Sequence, residues 1–312
     1  MQSAFNPELL QHALPELQKD SIDPALAQVW RRFYQIDFAQ QHADLDCRLG
    51  RVEVLGYQVA MQVCRPPQAL ATLLVLHGYY DHMGLYGHVY DWALQQGFAV
   101  LCCDLPGHGL SSGARASINS FQEYQQVLQA LLAKAEQLQL PKPWHLLGQS
   151  TGAAIALDYL LNQQPVSQLG ETILLAPLVR PRAWQQSKLL YQLVKPFRTS
   201  VPRRFSDNSH DPAFIEFIRN DPLQSQTLPT AWVGALAQWI PYLEQAKPSA
   251  RSPIIVQGDA DMTVDWQHNL NVLNEKFSQP RILMLAEGRH HLANEKTSMR
   301  EQYFEFLTEQ LS

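Results

Sequence analysis

Apolar residues along this chain follow two rhythms. Over the first 46 residues they recur at helical spacing through Leu26, Val29, Trp30, Phe33 and Tyr34, behind the helix-start pairs Asn6-Pro7 and Asp23-Pro24. This predicts an N-terminal helical extension. Two strand-like stretches follow at 51–55 and 57–64, joined at Gly56 as in an antiparallel hairpin. From residue 71 the pattern changes to short apolar runs at 72–76, 99–103, 144–147, 172–175, 254–256 and 281–285. Between them lies helical periodicity at about 86–96, 119–138, 152–163 and 265–277, with a last helix near 296–311. Apolar runs alternating with helices are what parallel strands covered on both faces require. The expectation is an α/β protein with a mostly parallel central sheet and helices on both sides.

The alternation breaks once. Between Pro177 and Pro248 no strand-like run appears, and the segment carries Trp184, Tyr191, Phe197, Phe205, Phe214, Phe217, Trp232 and Trp239. An insertion of that length with its own aromatic content predicts a helical cap over the carboxyl edge of the sheet. The expected organisation is therefore an N-terminal extension (1–46), a core (47–177 and 249–312) and a helical cap or lid (178–248).

At 312 residues, with 46% hydrophobic and 17% charged residues, the chain can bury one large core with an insertion. A net charge of −5 gives no global attraction to polyanions, so nucleic acid is not an expected partner. The four cysteines, Cys47, Cys64, Cys102 and Cys103, lack zinc-site spacing and are expected to be reduced and structural. The first 30 residues have no basic start followed by an apolar stretch, and no run approaches the ~18 apolar residues of a membrane span. A cytoplasmic location is expected, and the sequence assigns no oligomeric state.

The sharpest motif is Gly148-Gln149-Ser150-Thr151-Gly152, which ends the run 144–147 and opens a helical stretch. A serine between glycines at a strand-to-helix turn is a nucleophile elbow, with its hydroxyl exposed at the helix N-terminus. A serine hydroxyl needs a base to take its proton, and the base needs an oriented partner. Downstream, the loop 257–265 offers Asp259, Asp261 and Asp265, and the loop 287–295 offers His290 and His291. Each loop follows the carboxyl end of an expected strand, where ligands bind in open α/β sheets.

Over roughly residues 50–311 the chain resembles the monoacylglycerol lipase and lysophospholipase branch of the α/β-hydrolases, grouped with serine aminopeptidase-like hydrolases. The stretches that carry the resemblance are His77-Gly78-Tyr79-Tyr80-Asp81-His82, the run from Asp104 to Gly113, the Ser150 elbow, Asn220-Asp221-Pro222-Leu223 and the two downstream loops. The resemblance implies the α/β-hydrolase fold, with Ser150 as nucleophile and Asp261, three residues after Gly258, as the acid. Asp265 matches a further aspartate outside the triad, and Asp259 is then a surface residue. The base falls on His290 through Leu292, Asn294 and Glu295. Gly288 stands one residue closer to His290 than the family's spacing, and that spacing alone favours His291. The oxyanion donors implied are the backbone N–H groups of Thr151 and Tyr79.

The expected activity is hydrolysis of a carboxylic ester of an acyl lipid, a monoacylglycerol or a lysophospholipid, with no cofactor. Two alternatives are an aminopeptidase, for which Asp207, Asp211, Glu216 and Asp221 could hold a free amine, and a non-catalytic ligand-binding module. His77, His82, His88 and His108 show no metal-ligand spacing and are expected to hold loops, and Asp104 to be a structural carboxylate. The segment from Leu178 to Ser206 contains Arg180, Arg182, Lys188, Lys195, Arg198, Arg203 and Arg204 and no acid. Such a face suits peripheral contact with anionic lipid or a phosphate-bearing head group, or serves simply as a solvated helix face.

Overall fold

The computed structural model describes residues 5–18, 23–42 and 44–311. The expected extension includes positions outside these, namely 1–4, 19–22 and 43. Within it, α1 (Pro7–Ala13) starts at Asn6, whose side chain accepts from the Leu9 N–H, with Pro7 at the first helical position. The second helix, α2 (Ala25–Phe33), buries Ala27 and Trp30, and a short 3₁₀ turn follows at Phe38–Gln40.

The hairpin is longer than the apolar pattern suggested. Strands β1 (Asp46–Val54) and β2 (Tyr57–Arg65) pair antiparallel about the turn at Leu55 and Gly56. Then come β3 (Ala71–Leu76), α3 (Gly87–Gln95), β4 (Phe98–Cys103), α4 (Phe121–Gln137), β5 (Trp144–Gln149), α5 (Thr151–Asn162) and β6 (Leu169–Leu175). The insertion contributes α6 (Trp184–Val194), β7 (Ser200–Pro202), α7 (Pro212–Asn220), β8 (Thr227–Pro229) and α8 (Thr230–Glu244). The chain closes with β9 (Ile254–Gly258), α9 (Trp266–Lys276), β10 (Arg281–Leu285) and α10 (Thr297–Leu311).

The main sheet has eight strands in the order β1-β2-β4-β3-β5-β6-β9-β10. Only β1 and β2 run antiparallel to their neighbours; every pairing from β4 to β10 is parallel. Alternate residues of a strand serve opposite layers. Leu74, Leu76 and Leu146 pack with α4, α5 and α8, whereas Leu73, Val75 and Leu147 pack with α3, α10 and the N-terminal helices. Burial of both faces is why these strands read as unbroken apolar runs.

Two expectations need correction. The insertion is not strand-free, because β7 and β8 form a short antiparallel ribbon. Their three-residue length and their prolines, Pro202 and Pro229, hide them from any period-2 pattern. Nor are all four cysteines reduced: Cys47 and Cys64 are disulfide-bonded, while Cys102 and Cys103 are free and buried. Cys47 and Cys64 lie equally far from the hairpin turn, so the register sets them opposite each other with Cα atoms 4.2 Å apart. The expected strand began at Arg51, which left Cys47 outside the ladder that pairs it. Among the described residues no helix is long and apolar enough to cross a membrane.

Candidate active site

The loops that follow β3, β4, β5, β9 and β10 all emerge at the carboxyl edge of the parallel strands. The elbow between β5 and α5 is built by close approach. A Cβ on Gly152 would lie 2.1 Å from the Leu76 carbonyl oxygen, and one on Gly148 would lie 2.3 Å from the Gly152 backbone. The left-handed conformation falls on Ser150 itself, at φ 53° and ψ −109°. A non-glycine residue held there stores strain that the packed elbow must sustain. Ser150 is 7% exposed and sits immediately before the first residue of α5.

His290 Nε2 lies 3.0 Å from Ser150 Oγ, and His290 Nδ1 lies 2.7 Å from Asp261 Oδ2. Asp261 Oδ1 accepts the N–H groups of Thr263 and Val264 at 2.8 and 3.1 Å, and Gln257 Nε2 donates to Oδ2 at 3.2 Å. Burial works against the charged form of both groups. For Asp261 it is outweighed by the His290 charge and hydrogen bond and by the backbone donors, so the carboxyl sits below its usual range. For His290 it is outweighed by Asp261, and the imidazole sits above its usual range. The other two carboxylates of that loop are occupied elsewhere. Asp265 pairs with Arg180 at 2.7 Å, and exposed Asp259 accepts the Glu287 N–H at 2.6 Å.

The loop after β3 lies against the serine: a Cβ on Gly78 would be 3.4 Å from Ser150 Cβ. Tyr79 is half-buried; its ring stacks on Trp232 of α8 at 3.7 Å and its hydroxyl donates to the Ala116 carbonyl. Thr151 is fully buried at the start of α5. The loop is held from behind. Tyr86 Oη accepts the Gly78 N–H at 2.9 Å and donates to Asp81 Oδ2 at 2.9 Å, and His291 Nε2 lies 3.2 Å from Asp81 Oδ1. Burial pushes Asp81 up, but His291, His77 and Tyr86 pull it well below the usual carboxylate range.

Of the four histidines expected to hold loops, His77, His82 and His108 do so, whereas His88 is exposed on helix α3. His77 Nε2 accepts the Leu105 N–H, and His82 pairs with Asp221 at 2.8 Å with neither side chain exposed. His108 Nδ1 lies 2.9 Å from the Pro106 carbonyl. Burial lowers His77 to about 3 and His108 to about 4, which keeps both neutral. Asp104 accepts the Met83 and Leu110 N–H groups.

Three features were not assigned a role from the sequence. Gln149 Oε1 accepts the Ala293 N–H at 2.9 Å and ties the elbow to the histidine loop. Glu295 accepts the N–H groups of Arg289, Lys296 and His210, which clamps that loop to the insertion. Tyr34 of the extension donates to Asp221 Oδ1 at 2.7 Å. The sequence offered motif membership for Glu295, Asp221 and Gln149, and for Tyr34 only a place in the helical apolar pattern.

A family profile described as serine aminopeptidase, S33, matches residues 67–297. The chain belongs to the serine aminopeptidase S33 family. It is 25% identical over 240 residues to phospholipase YtpA of Bacillus subtilis, covering 74% of this chain and 91% of that one. It is 28% identical over 237 residues to human monoglyceride lipase, covering 72% and 77%. A Dictyostelium discoideum abhydrolase domain-containing protein is 31% identical over 146 residues, which is 47% of this chain but 15% of that far longer one. Among solved structures, a soluble variant of monoglyceride lipase from Saccharomyces cerevisiae superposes with a TM-score of 0.72 at 16% identity, over 85% of this chain and 94% of that one. That likeness is one of fold, and this S33 family member has the α/β-hydrolase fold.

Proposed function

We propose that this S33 family member is a serine hydrolase that cleaves carboxylic esters of acyl lipids, monoacylglycerols or lysophospholipids, through an acyl-enzyme. The observation that carries the reading is the line Asp261–His290–Ser150, at 2.7 and 3.0 Å, on a strained elbow at a helix N-terminus. Ser150 Oγ attacks the ester carbonyl while His290 Nε2 takes its proton, and Asp261 holds the imidazole and balances the imidazolium. The N–H groups of Thr151 and Tyr79 receive the oxyanion. His290 returns the proton to the departing alcohol, then activates the water that releases the fatty acid and restores Ser150. These steps call for no cofactor.

In this reading the insertion is a cap. Ser150 is nearly closed off from solvent, and segment 207–211, Asp221 and Trp232 reach from the insertion to the loops around it, so the substrate enters when the cap lifts. The exposed face of α6 and the turn after it support peripheral lipid contact: Leu189, Leu190, Leu193 and Phe197 stand 60–84% exposed beside exposed Lys188, Lys195 and Arg198. The peptidase alternative has less support. Asp207 pairs with Arg219, Asp211 caps α7, Glu216 bonds Asn220, and Asp221 holds His82 and Tyr34. Each carboxylate expected to hold a substrate amine already has a partner.

Hydrolysis of short- and long-chain p-nitrophenyl esters, monoacylglycerol, lysophosphatidylcholine and an aminoacyl amide tests the reading. Turnover of the long-chain esters, lost in Ser150→Ala and His290→Ala but retained in His291→Ala, is expected. Cleavage of the amide alone would give the peptidase reading the field.

A further inference from the structure

Arg203, just after β7, is placed unlike the other basic residues of its segment. Its guanidinium carbon lies 3.9 Å from the ring centroid of Tyr80 and 4.3 Å from that of Phe205. Nη1 donates both to Gln224 Oε1 at 2.5 Å and to the Ser225 carbonyl at 3.2 Å. One nitrogen makes both bonds. Nε and Nη2 form the edge with which arginine grips two oxygens of a phosphate at once. Neither has an acceptor among the described residues, and neither is sealed from solvent.

No carboxylate among the described residues pairs with this cation, whereas Arg180 and Arg219 have Asp265 and Asp207. Arg203 is also half-buried, and burial disfavours its charged form. Asp81 and Asp221 favour its charge only from beyond ion-pair distance, and a partly desolvated cation without a direct carboxylate partner is costly to keep. Here it is clamped between two rings and fixed at one corner, with its two-toothed edge left open.

Its position links it to the nucleophile. Tyr80, in the left-handed region at φ 71°, follows Tyr79, and the two rings are 4.1 Å apart. Gly78, the next residue back, abuts Ser150. A contiguous path of Ser150, Gly78, Tyr79, Tyr80 and Arg203 therefore leads from the reacting serine to the open guanidinium edge. The exposed Lys188, Lys195, Arg198 and Arg204, in a segment without acids, add a positive field that draws anions toward this rim.

We propose that Arg203 is a specificity-determining residue that grips a phosphate on the alcohol side of the ester, so that the preferred substrates are lysophospholipids and not uncharged monoacylglycerols. The inference rests on the ester-hydrolase reading above. In a lysophospholipid only the glycerol backbone separates the scissile ester from the phosphate, which suits a cation at the rim of the oxyanion loop. A plain brace would need only the Nη1 anchor and would leave substrates undistinguished.

The test compares kcat and KM for lysophosphatidylglycerol, lysophosphatidylcholine and monoacylglycerol of one acyl chain in wild type, Arg203→Met and Arg203→Lys. Methionine keeps an apolar stem between the rings and removes the charge; lysine keeps the charge and loses the fork. The expected result is a KM for both phosphate-bearing substrates raised about 10- to 100-fold in Arg203→Met, with kcat and monoacylglycerol turnover unchanged and Arg203→Lys in between. Equal losses on charged and uncharged substrates, or no loss on either, would overturn the role of Arg203 and leave the ester-hydrolase reading intact. A folded wild type that cleaves none of the esters would overturn both. Should Arg203→Met not fold, glycerol 3-phosphate serves as probe: it should inhibit p-nitrophenyl ester hydrolysis by wild type and do so at least about tenfold more weakly in Arg203→Lys. Equal inhibition of the two proteins would contradict the proposal.

Discussion

His291 Nε2 lies 3.2 Å from Asp81 Oδ1, so the two adjacent histidines of one loop serve different carboxylates, His290 facing Asp261 and His291 facing Asp81. Through Tyr86 the second pair reaches the Gly78 N–H, next to the Tyr79 amide proposed as an oxyanion donor. Asp81→Asn should therefore lower kcat by about tenfold with little change in KM, because a misplaced donor weakens the transition state more than the ground state. Steady-state kinetics on one long-chain ester checks this, and an unchanged kcat would reduce the pair to a structural contact.

The pH dependence follows from His290. As the proposed base it must be neutral, and Asp261 raises its pKa despite burial. The acid limb of kcat/KM should therefore lie above 6.5, the ordinary histidine value, with activity rising as pH increases through it. In Asp261→Asn the limb should move to lower pH while the plateau falls on the order of 10²–10⁴-fold. A pH–rate profile of both proteins reads the two effects separately.

Tyr34, His82 and Asp221 make a buried network that joins the extension, the loop after β3 and the insertion. Burial opposes the charge on His82, but Asp221, Asp104 and Asp81 outweigh it and raise the pKa; Asp221 is lowered because His82 and Tyr34 outweigh its burial. The His82 contribution to stability is therefore complete below 6.5 and lost as pH rises through its elevated pKa. The Asp221 contribution is complete above 3.8 and lost as pH falls through its depressed pKa. Tyr34→Phe should cost about 1.5–3 kcal/mol, the worth of a hydrogen bond to a charged group, and Asp221→Ala about 3–5 kcal/mol for stranding the histidine. Urea denaturation at several pH values measures both, and Tyr34→Phe at wild-type stability would contradict the network's role.

The apolar face of α6 gives a fourth prediction. Leu189→Asp combined with Leu193→Asp should lower binding to anionic vesicles at least about tenfold and leave hydrolysis of a soluble short-chain ester unchanged. Vesicle flotation at low and high salt checks it. Equal binding by wild type and variant would make the face a solvated surface.

The core strands were legible because burial on both faces writes itself as unbroken apolar runs, as in 72–76 and 99–103. The elbow was legible because its two glycines flank the serine within five residues, Gly148 demanded by the nearby Gly152 backbone, although the contact that demands Gly152 comes from distant Leu76. What could not be read depends on distance along the chain or on side-chain rotation. Asp221 is 139 residues from His82 and 187 from Tyr34, and no local pattern links them. His290 and His291 are neighbours whose assignment turns on which ring faces Ser150. Cys47 meets Cys64 only once the register of the hairpin is fixed.

The most direct test of the central claim is to react the folded protein with a fluorophosphonate and map the adduct by mass spectrometry. The account predicts one stoichiometric adduct on Ser150, absent in Ser150→Ala and formed far more slowly in His290→Ala. No adduct on a folded protein, or an adduct on another residue, would contradict it and favour a module that binds ligand without turning it over.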